Sequence, residues 1–185
     1  VYVFDLNDGW ASRSEFTHDS TEEGRSSNLG DQGLAVEGNH VLVTGQGTDA
    51  GEIFSLRRDA AGEWSMADQM SFEESRYRYA ARSLAVSGRN AYVGAIDRVT
   101  GRGVAIIFSQ ASGRWRQLAV IDFEGSADGN SGDFGYRAIA ASDGRVLIGY
   151  WNDNTARGLS SGSIHFFKAA AVCTAAGHCI CERGW

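Results

Sequence analysis

One pattern recurs along this chain and limits what it can fold into. Leu29-Gly-Asp-Gln-Gly-Leu34, Tyr79-Ala-Ala-Arg-Ser-Leu84 and Phe134-Gly-Tyr-Arg-Ala-Ile139 open three copies, spaced 50 and 55 residues apart (29 to 79 to 134). Each copy passes through a small loop into an apolar run: Val41-Leu-Val43, Ala91-Tyr-Val93 or Val146-Leu-Ile148. A polar hairpin then leads to a strand bearing a phenylalanine, read as Phe54, Phe108 and Phe166, with Phe4 in a fourth copy of which only the end is present. Trp10, Trp64 and Trp115 follow, each beginning another short alternating strand. A period near 50 residues, built of four short strands and no helix, is the signature of a β-propeller blade.

A four-stranded sheet cannot bury both its faces alone, so a chain that keeps making such sheets must stack them. Inner strands then lie between two neighbours and read as continuous apolar runs, as Val41-Leu-Val43 and Val146-Leu-Ile148 do. The outer strand is half solvated and alternates; Glu63-Trp-Ser-Met-Ala-Asp-Gln-Met70 places Trp64 and Met66 on one face. Glu37-Gly-Asn39, Ser87-Gly-Arg-Asn90, Ser142-Asp-Gly-Arg145 and Ala60-Ala-Gly62 supply the residue types that tight hairpins require. No window carries a capped helical period, and the 76–82 stretch offers a single turn at most. The expected fold is all-β, a partial propeller of four-stranded antiparallel blades over 1–168, with blade pieces about 1–16, 29–70, 79–121 and 134–168. The chain, which opens on Val1 inside a strand, is expected to be a fragment of a larger ring, cut at both ends.

Charge and cysteines narrow the setting. The 17 Lys and Arg and 23 Asp and Glu give a net charge of −6, interspersed in sign, and lack the basic stripe that nucleic acid binding requires. No apolar stretch is long enough to span a bilayer. Cys173, Cys179 and Cys181 all lie beyond residue 172, which marks 169–185 as a separate segment. Their odd number leaves at least one with a partner outside this chain or as a free thiol.

The copies resemble the FG-GAP type of β-propeller repeat, the class of the integrin α-subunit head, in its microbial variant. The third copy is the best match, through Ser126-Ala-Asp-Gly-Asn-Ser-Gly-Asp-Phe-Gly135, Gly149 after the second strand and Ser161-Gly-Ser-Ile-His-Phe-Phe167. The second has Tyr79-Ala80 for Phe-Gly and Gly94-Ala-Ile96 for the family's Gly-Ala-Pro, and the first has Leu29-Gly30 and Thr44-Gly-Gln46. The family's turn proline is missing throughout, since the chain has no proline. Cys179-Ile-Cys-Glu-Arg-Gly-Trp185 is similar to the end of an EGF-like module; a chance Cys-x-Cys in a disordered terminus is the other reading. The EGF-like resemblance implies disulfides, an oxidising compartment and hence an extracellular, secreted or surface-bound protein.

Candidate chemistry is sparse. Asp128, Asn130 and Asp133 form the nearest approach to the calcium loop of integrin-type repeats, but two carboxylates and one amide fit a tight turn between blades better. Asn152-Asp-Asn154 offers a second such grouping, no stronger than the first. The sialidase-type Asp-box does not occur, and His18, His40, His165 and His178 have no Ser, Cys or carboxylate partner at a motif spacing. No catalytic residue is expected. Arg76-Tyr-Arg-Tyr79 is the aromatic and basic cluster that could anchor a partner on a propeller rim, although charged connections also serve simply to keep loops solvated. The resemblance implies a non-catalytic recognition or adhesion scaffold that binds extracellular protein or carbohydrate. The alternatives are a fragment of a secreted propeller enzyme of glycosidase or lyase type, and an intracellular scaffold.

Overall fold

The computed structural model describes residues 2–5, 11–16, 29–45, 50–73, 75–122, 134–153, 158 and 161–168. These residues are all-β, as expected, and every strand pairing is antiparallel. β1 (Tyr2–Asp5) and β2 (Ala11–Glu15) form a two-stranded sheet, and β3 (Leu34–Glu37), β4 (His40–Gly45), β5 (Glu52–Arg58) and β6 (Trp64–Ser71) a four-stranded meander. β7 (Tyr77–Arg78), β8 (Leu84–Ser87), β9 (Asn90–Asp97), β10 (Gly103–Ala111) and β11 (Arg114–Asp122) make the third sheet, in which β7 and β8 share the same edge of β9. β12 (Ile139–Ser142), β13 (Arg145–Tyr150) and β14 (Ser163–Lys168) make the fourth. The single turn expected near 76–82 is thus in part a strand, because Tyr77 and Arg78 pair with Asp97 and Ile96. No helix of the described residues is long and apolar enough to cross a membrane.

The hairpins follow their residue types. Asp143 and Gly144 both take positive φ, 49° and 70°, as do Ser112 and Gly113, which fits two-residue loops that follow the strand twist. Gly38 and Gly88 are left-handed at the first loop position of their hairpins. Around Gly62, the Asp59 carboxylate accepts hydrogen bonds from the Ala61 and Glu63 amides, both at 2.9 Å, and closes a longer turn.

The strands alternate, and both faces of the inner ones are used. Ala91, Val93, Ala95, Val104, Ile106 and Phe108 join Leu42, Ile53 and Met70 in one apolar layer between the second and third sheets. Tyr92, Ala105, Ile107 and Ile121 point the other way and pack with Phe134, Val146, Ile148 and Tyr150 of the fourth sheet and its approach. Val41, Val43 and Leu56 form a third layer with Phe16, Leu29 and Trp64. Each fully buried aliphatic side chain contributes about 1.5–3 kcal/mol, against roughly 1 kcal/mol for a net hydrogen bond, so these layers dominate over the bonds between sheets. The bonds that do cross occupy fixed places: Gly88 N–H donates to Glu37 Oε1 at 2.7 Å, and Gly144 N–H to Ser87 Oγ at 3.3 Å.

Strand register revises which side chains correspond. Val41, Ala91 and Val146 pair outward with Leu56, Phe108 and Phe167, whereas Val43, Val93 and Ile148 pair with Phe54, Ile106 and His165. Phe54 and Phe166 are therefore not the counterparts of Phe108; Leu56 and Phe167 are. Trp64 and Met66 do share a face, pairing with Arg58 and Leu56. A bulge at Ala67 then sends Asp68 and Met70 to the opposite side.

One backbone closure recurs in three sheets. Gly30, Ala81 and Gly135, at φ of 83°, 66° and 69°, donate to the carbonyls of Thr44, Gly94 and Gly149. The amides of Thr44, Gly94 and Gly149 donate to Gly33, Ser83 and Ala138. Each facing pair contains a glycine: Gly33 with Thr44, Ser83 with Gly94, Ala138 with Gly149. A Cβ on Gly149 would stand 2.9 Å from that of Ala138, which shows how little room the closure leaves.

Candidate functional site

The segments that precede β8 and β12 meet at one end of the sheets and bring arginines and tyrosines together. Arg78 lies over the Tyr79 ring at 5.7 Å, and Arg82 approaches the same ring at 5.0 Å. Arg82 also lies 5.3 Å from the Tyr136 ring, which Arg137 approaches at 5.4 Å. The two rings are 6.3 Å apart and tilted by 58°. The result is an alternating array, Arg78, Tyr79, Arg82, Tyr136, Arg137, drawn from two connections that are far apart in sequence.

Its energetics favour a fixed arrangement. Like charges roughly 10 Å apart in water repel by about 0.4 kcal/mol, and each exposed cation–π contact returns about 0.5–1 kcal/mol. The rings thus hold the guanidiniums in place. Among the described residues no carboxylate forms an ion pair with Arg78, Arg82 or Arg137, whereas Arg76 reaches Asp97 at 3.6 Å. Tyr79 is 45% exposed and has a φ of 52°, a left-handed conformation that bulky residues rarely adopt. Strain of this kind, held by the surrounding structure, is characteristic of functional segments.

The expected cluster of Arg76, Tyr77, Arg78 and Tyr79 is therefore divided. Arg78 and Tyr79 face solvent within the array. Tyr77 is 2% exposed and belongs to the core, and the Arg98 Nε donates to its carbonyl at 3.0 Å. Burial pushes the Tyr77 phenol above its ordinary value, against the opposing effects of the Arg76 guanidinium and the Gln117 side chain. Among the described residues its hydroxyl has no hydrogen-bond partner. Arg76 is tied to the turn after β9, where Asp97 Oδ1 also accepts from the Val99 and Thr100 amides. Sequence reading did not find Arg82, Tyr136 and Arg137 as partners of the cluster. Their signal was the equivalent placement of Arg82 and Arg137 ahead of β8 and β12.

Beside the array lies a cleft of about 630 Å³, whose lining includes Arg137, Trp151, Ser161, Ser163 and Ile164. Trp151 is 57% exposed there. Ser163 Oγ is 2.7 Å from His165 Nε2, a neighbour along the strand at a separation that motif spacings do not cover. The two lie two residues apart on β14, the spacing that puts side chains on one face of a strand. The His165 ring packs edge-on against Phe134 at 5.6 Å. Among the described residues the buried His40 Nδ1 has no hydrogen-bond partner. Asp153 is buried, and its carbonyl accepts from the Gly162 amide and the Ser161 hydroxyl.

Asp128, Asn130 and Asp133, and likewise Cys173, Cys179 and Cys181, lie outside the described residues, as do Asn154, His18 and His178. Among the described residues no group of three or more His, Cys, Asp or Glu is placed to hold a metal ion. Compared with known families and with curated proteins, the chain matches no family model and no curated sequence.

Proposed function

We propose that this chain is part of a β-propeller of FG-GAP-type repeats and acts as a non-catalytic extracellular recognition scaffold, binding protein or carbohydrate through the connections at one end of its sheets. The side-by-side sheets with apolar layers between them support the propeller reading. So do the apolar side chains left bare on the end sheets. Leu147 and Ile164 correspond by register to Tyr92 and Ala105, which the next sheet covers, yet they are 37% and 67% exposed. Leu34 and Val36 correspond to Leu84 and Val86 and are also exposed. A further sheet of the same kind stacked on either side accounts for both. The extracellular setting and the binding of disulfide-type cysteines rest on the resemblance of 179–185 to an EGF-like module.

The single observation that carries the binding reading is the Arg and Tyr array, a set of guanidiniums without a carboxylate partner among the described residues, held against rings on two connections, one of which carries the left-handed Tyr79. The test is retention of glycans and secreted proteins on the immobilised chain, compared with the Arg82→Gln and Tyr79→Ala variants. Binding that these variants weaken is the expected result. Retained ligands that neither variant affects remove the array as the recognition surface, and turnover of chromogenic glycosides refutes the non-catalytic reading.

A further inference from the structure

We infer that copies of this chain associate head to tail, the bare face of the fourth sheet of one copy receiving the bare face of the second sheet of another. The inference rests on the stacked-sheet reading and names what supplies the further sheet.

The two stackings within the chain follow one pattern. Each sheet turns one face to the sheet after it and the opposite face to the sheet before it. Tyr92, Ala105 and Ile107 meet the fourth sheet, whereas Val93 and Ile106 meet the second. A hairpin bond recurs at a fixed place in each contact. Glu37 accepts from the Gly88 amide of the following sheet, and Ser87, the register equivalent of Glu37, accepts from the Gly144 amide. At the other end of the contact, the Gly135 connection sits over Gly94, and its carbonyl accepts the Ser83 hydroxyl.

Carried forward one sheet, this pattern leaves a full set of open positions on the fourth. Ala140, Leu147, Ile164 and Phe166 stand where Ala85, Tyr92, Ala105 and Ile107 are buried, and all four are exposed. Ser142 takes the place of Ser87, and Ala138 with Gly149 the place of Ser83 with Gly94. The cleft lined by Ala138 and Gly149 is therefore the seat of an incoming connection. Carried back one sheet, the pattern leaves the matching half on the second. Leu34 and Val36, in register with Leu84 and Val86, are 50% and 60% exposed. Phe16 packs against the Val41, Val43 and Leu56 layer of that face but leaves these two bare. Gly38, at φ of 56°, repeats Gly88 at 59°, and Gly30 repeats Gly135.

The chain thus carries both halves of one interface, at opposite ends of its stack of sheets. Joining them places Leu29-Gly30 of one copy in the cleft of another, the Gly38 amide at Ser142, and Val36 against Ala140 and Leu147. Because the two faces differ, the contact is heterologous, and its repetition builds a closed ring or an open row. Apolar burial drives the contact while the −6 on each copy opposes it, so raised salt should strengthen association.

The test is sedimentation of the full chain across a range of concentrations, with Phe166→Glu on the fourth-sheet face and Val36→Glu on the second-sheet face. Wild type should associate as concentration rises. Each variant alone should stay monomeric, and their equimolar mixture should form a one-to-one dimer, because each keeps the face that the other lacks. Ser142→Ala should weaken association about fivefold, as for loss of one net hydrogen bond. Melting temperatures of the two dilute Glu variants should match wild type, which separates lost association from lost folding. A mixture that stays monomeric overturns the inference, and so does association that only one of the two variants blocks, the mark of like faces pairing. Wild type that stays monomeric up to about 0.5 mM overturns it as well, and leaves both faces to a sheet from another source. The stacking reading is tested apart by Tyr92→Glu, at the buried equivalent of Leu147. Its melting temperature should fall steeply whether or not copies associate, and an unchanged value refutes the stacking itself.

Discussion

Trp115→Ala is the most demanding test of how the sheets hold together. Trp115, the second residue of β11, is buried against the neighbouring sheet, with 7% exposure. Its Nε1–H donates to the Ser55 hydroxyl on β5 at 3.1 Å, and its amide donates to Asp68 Oδ2 on β6 at 2.7 Å. Truncating a buried Trp costs about 3–5 kcal/mol, and a buried Ser55 hydroxyl left without its donor adds about 1–3 kcal/mol. The expected loss is about 4–8 kcal/mol, comparable to the whole stability of many domains. Trp115→Phe keeps most of the ring and should lose about 1–2 kcal/mol, much of it recovered when Ser55→Ala removes the orphaned hydroxyl as well. Trp64 is only partly buried, against the Val41, Val43 and Leu56 layer, so Trp64→Ala should cost about half as much as Trp115→Ala. Urea denaturation monitored by circular dichroism, with linear extrapolation, measures each value. A loss below about 1 kcal/mol for Trp115→Ala, or equal losses at the two tryptophans, would refute the interlocked-sheet reasoning.

Other expectations concern single groups. A Cβ on Gly94 would stand 2.0 Å from the Gly135 carbonyl oxygen, whereas one on Gly149 would meet only the Ala138 Cβ at 2.9 Å. Gly94→Ala should therefore cost about 3 kcal/mol and Gly149→Ala about 1 kcal/mol, and the reverse order in denaturation midpoints contradicts the packing. Because burial raises the Tyr77 phenol above its ordinary 10.0, the unfolded chain gives up that proton first. Stability is thus unaffected below pH 10 and falls as pH rises past it. Tyr77→Phe should flatten that fall, and identical slopes for the two proteins count against the buried phenol. If the cysteine-bearing end is EGF-like, thiol titration of denatured, unreduced protein should find fewer than three free thiols; finding all three removes the argument for an oxidising compartment.

The hairpins were legible in the sequence because turn chemistry is local. Gly38, Gly88, Gly62 and the Asp143-Gly144 pair all take the positive φ that their residue types favour. The apolar inner runs were legible for the same reason: burial on both faces removes alternation, as the fully buried Val41-Leu-Val43 run shows. Register between copies was not. Two-residue periodicity assigns faces but not correspondence, and the hairpin before the Phe-bearing strand varies in length. Gly45 pairs with Glu52, but Tyr150 pairs with Ser163. Matching phenylalanines across such loops selected Phe54 and Phe166, where pairing selects Leu56 and Phe167. The bulges at Ala67 and Leu118 likewise leave no compositional mark. In the candidate site, a local window could see Arg76 to Tyr79 but not that Tyr77 turns inward. Nor could it see Tyr136 and Arg137, which the stacking of two sheets brings to Tyr79.

That stacking also sets how rigid the array is. The connection carrying Tyr79 is fixed on both sides: Ala80 N–H donates to Ala50 of the preceding sheet, and Ala81 N–H to Gly94 of its own. The connection carrying Tyr136 is held through Gly135, whose amide donates to Gly149 and whose carbonyl accepts the Ser83 hydroxyl. Ser83 therefore links the two connections directly beneath the rings. If the array binds a ligand as proposed, rings anchored in this way need little ordering, so less of the contact energy is lost as entropy. The same anchoring makes Gly94 a point of coupling. Any side chain there displaces Gly135, and with it Tyr136, so damage to the interior closure must reach the array even though Gly94 itself is buried beneath it.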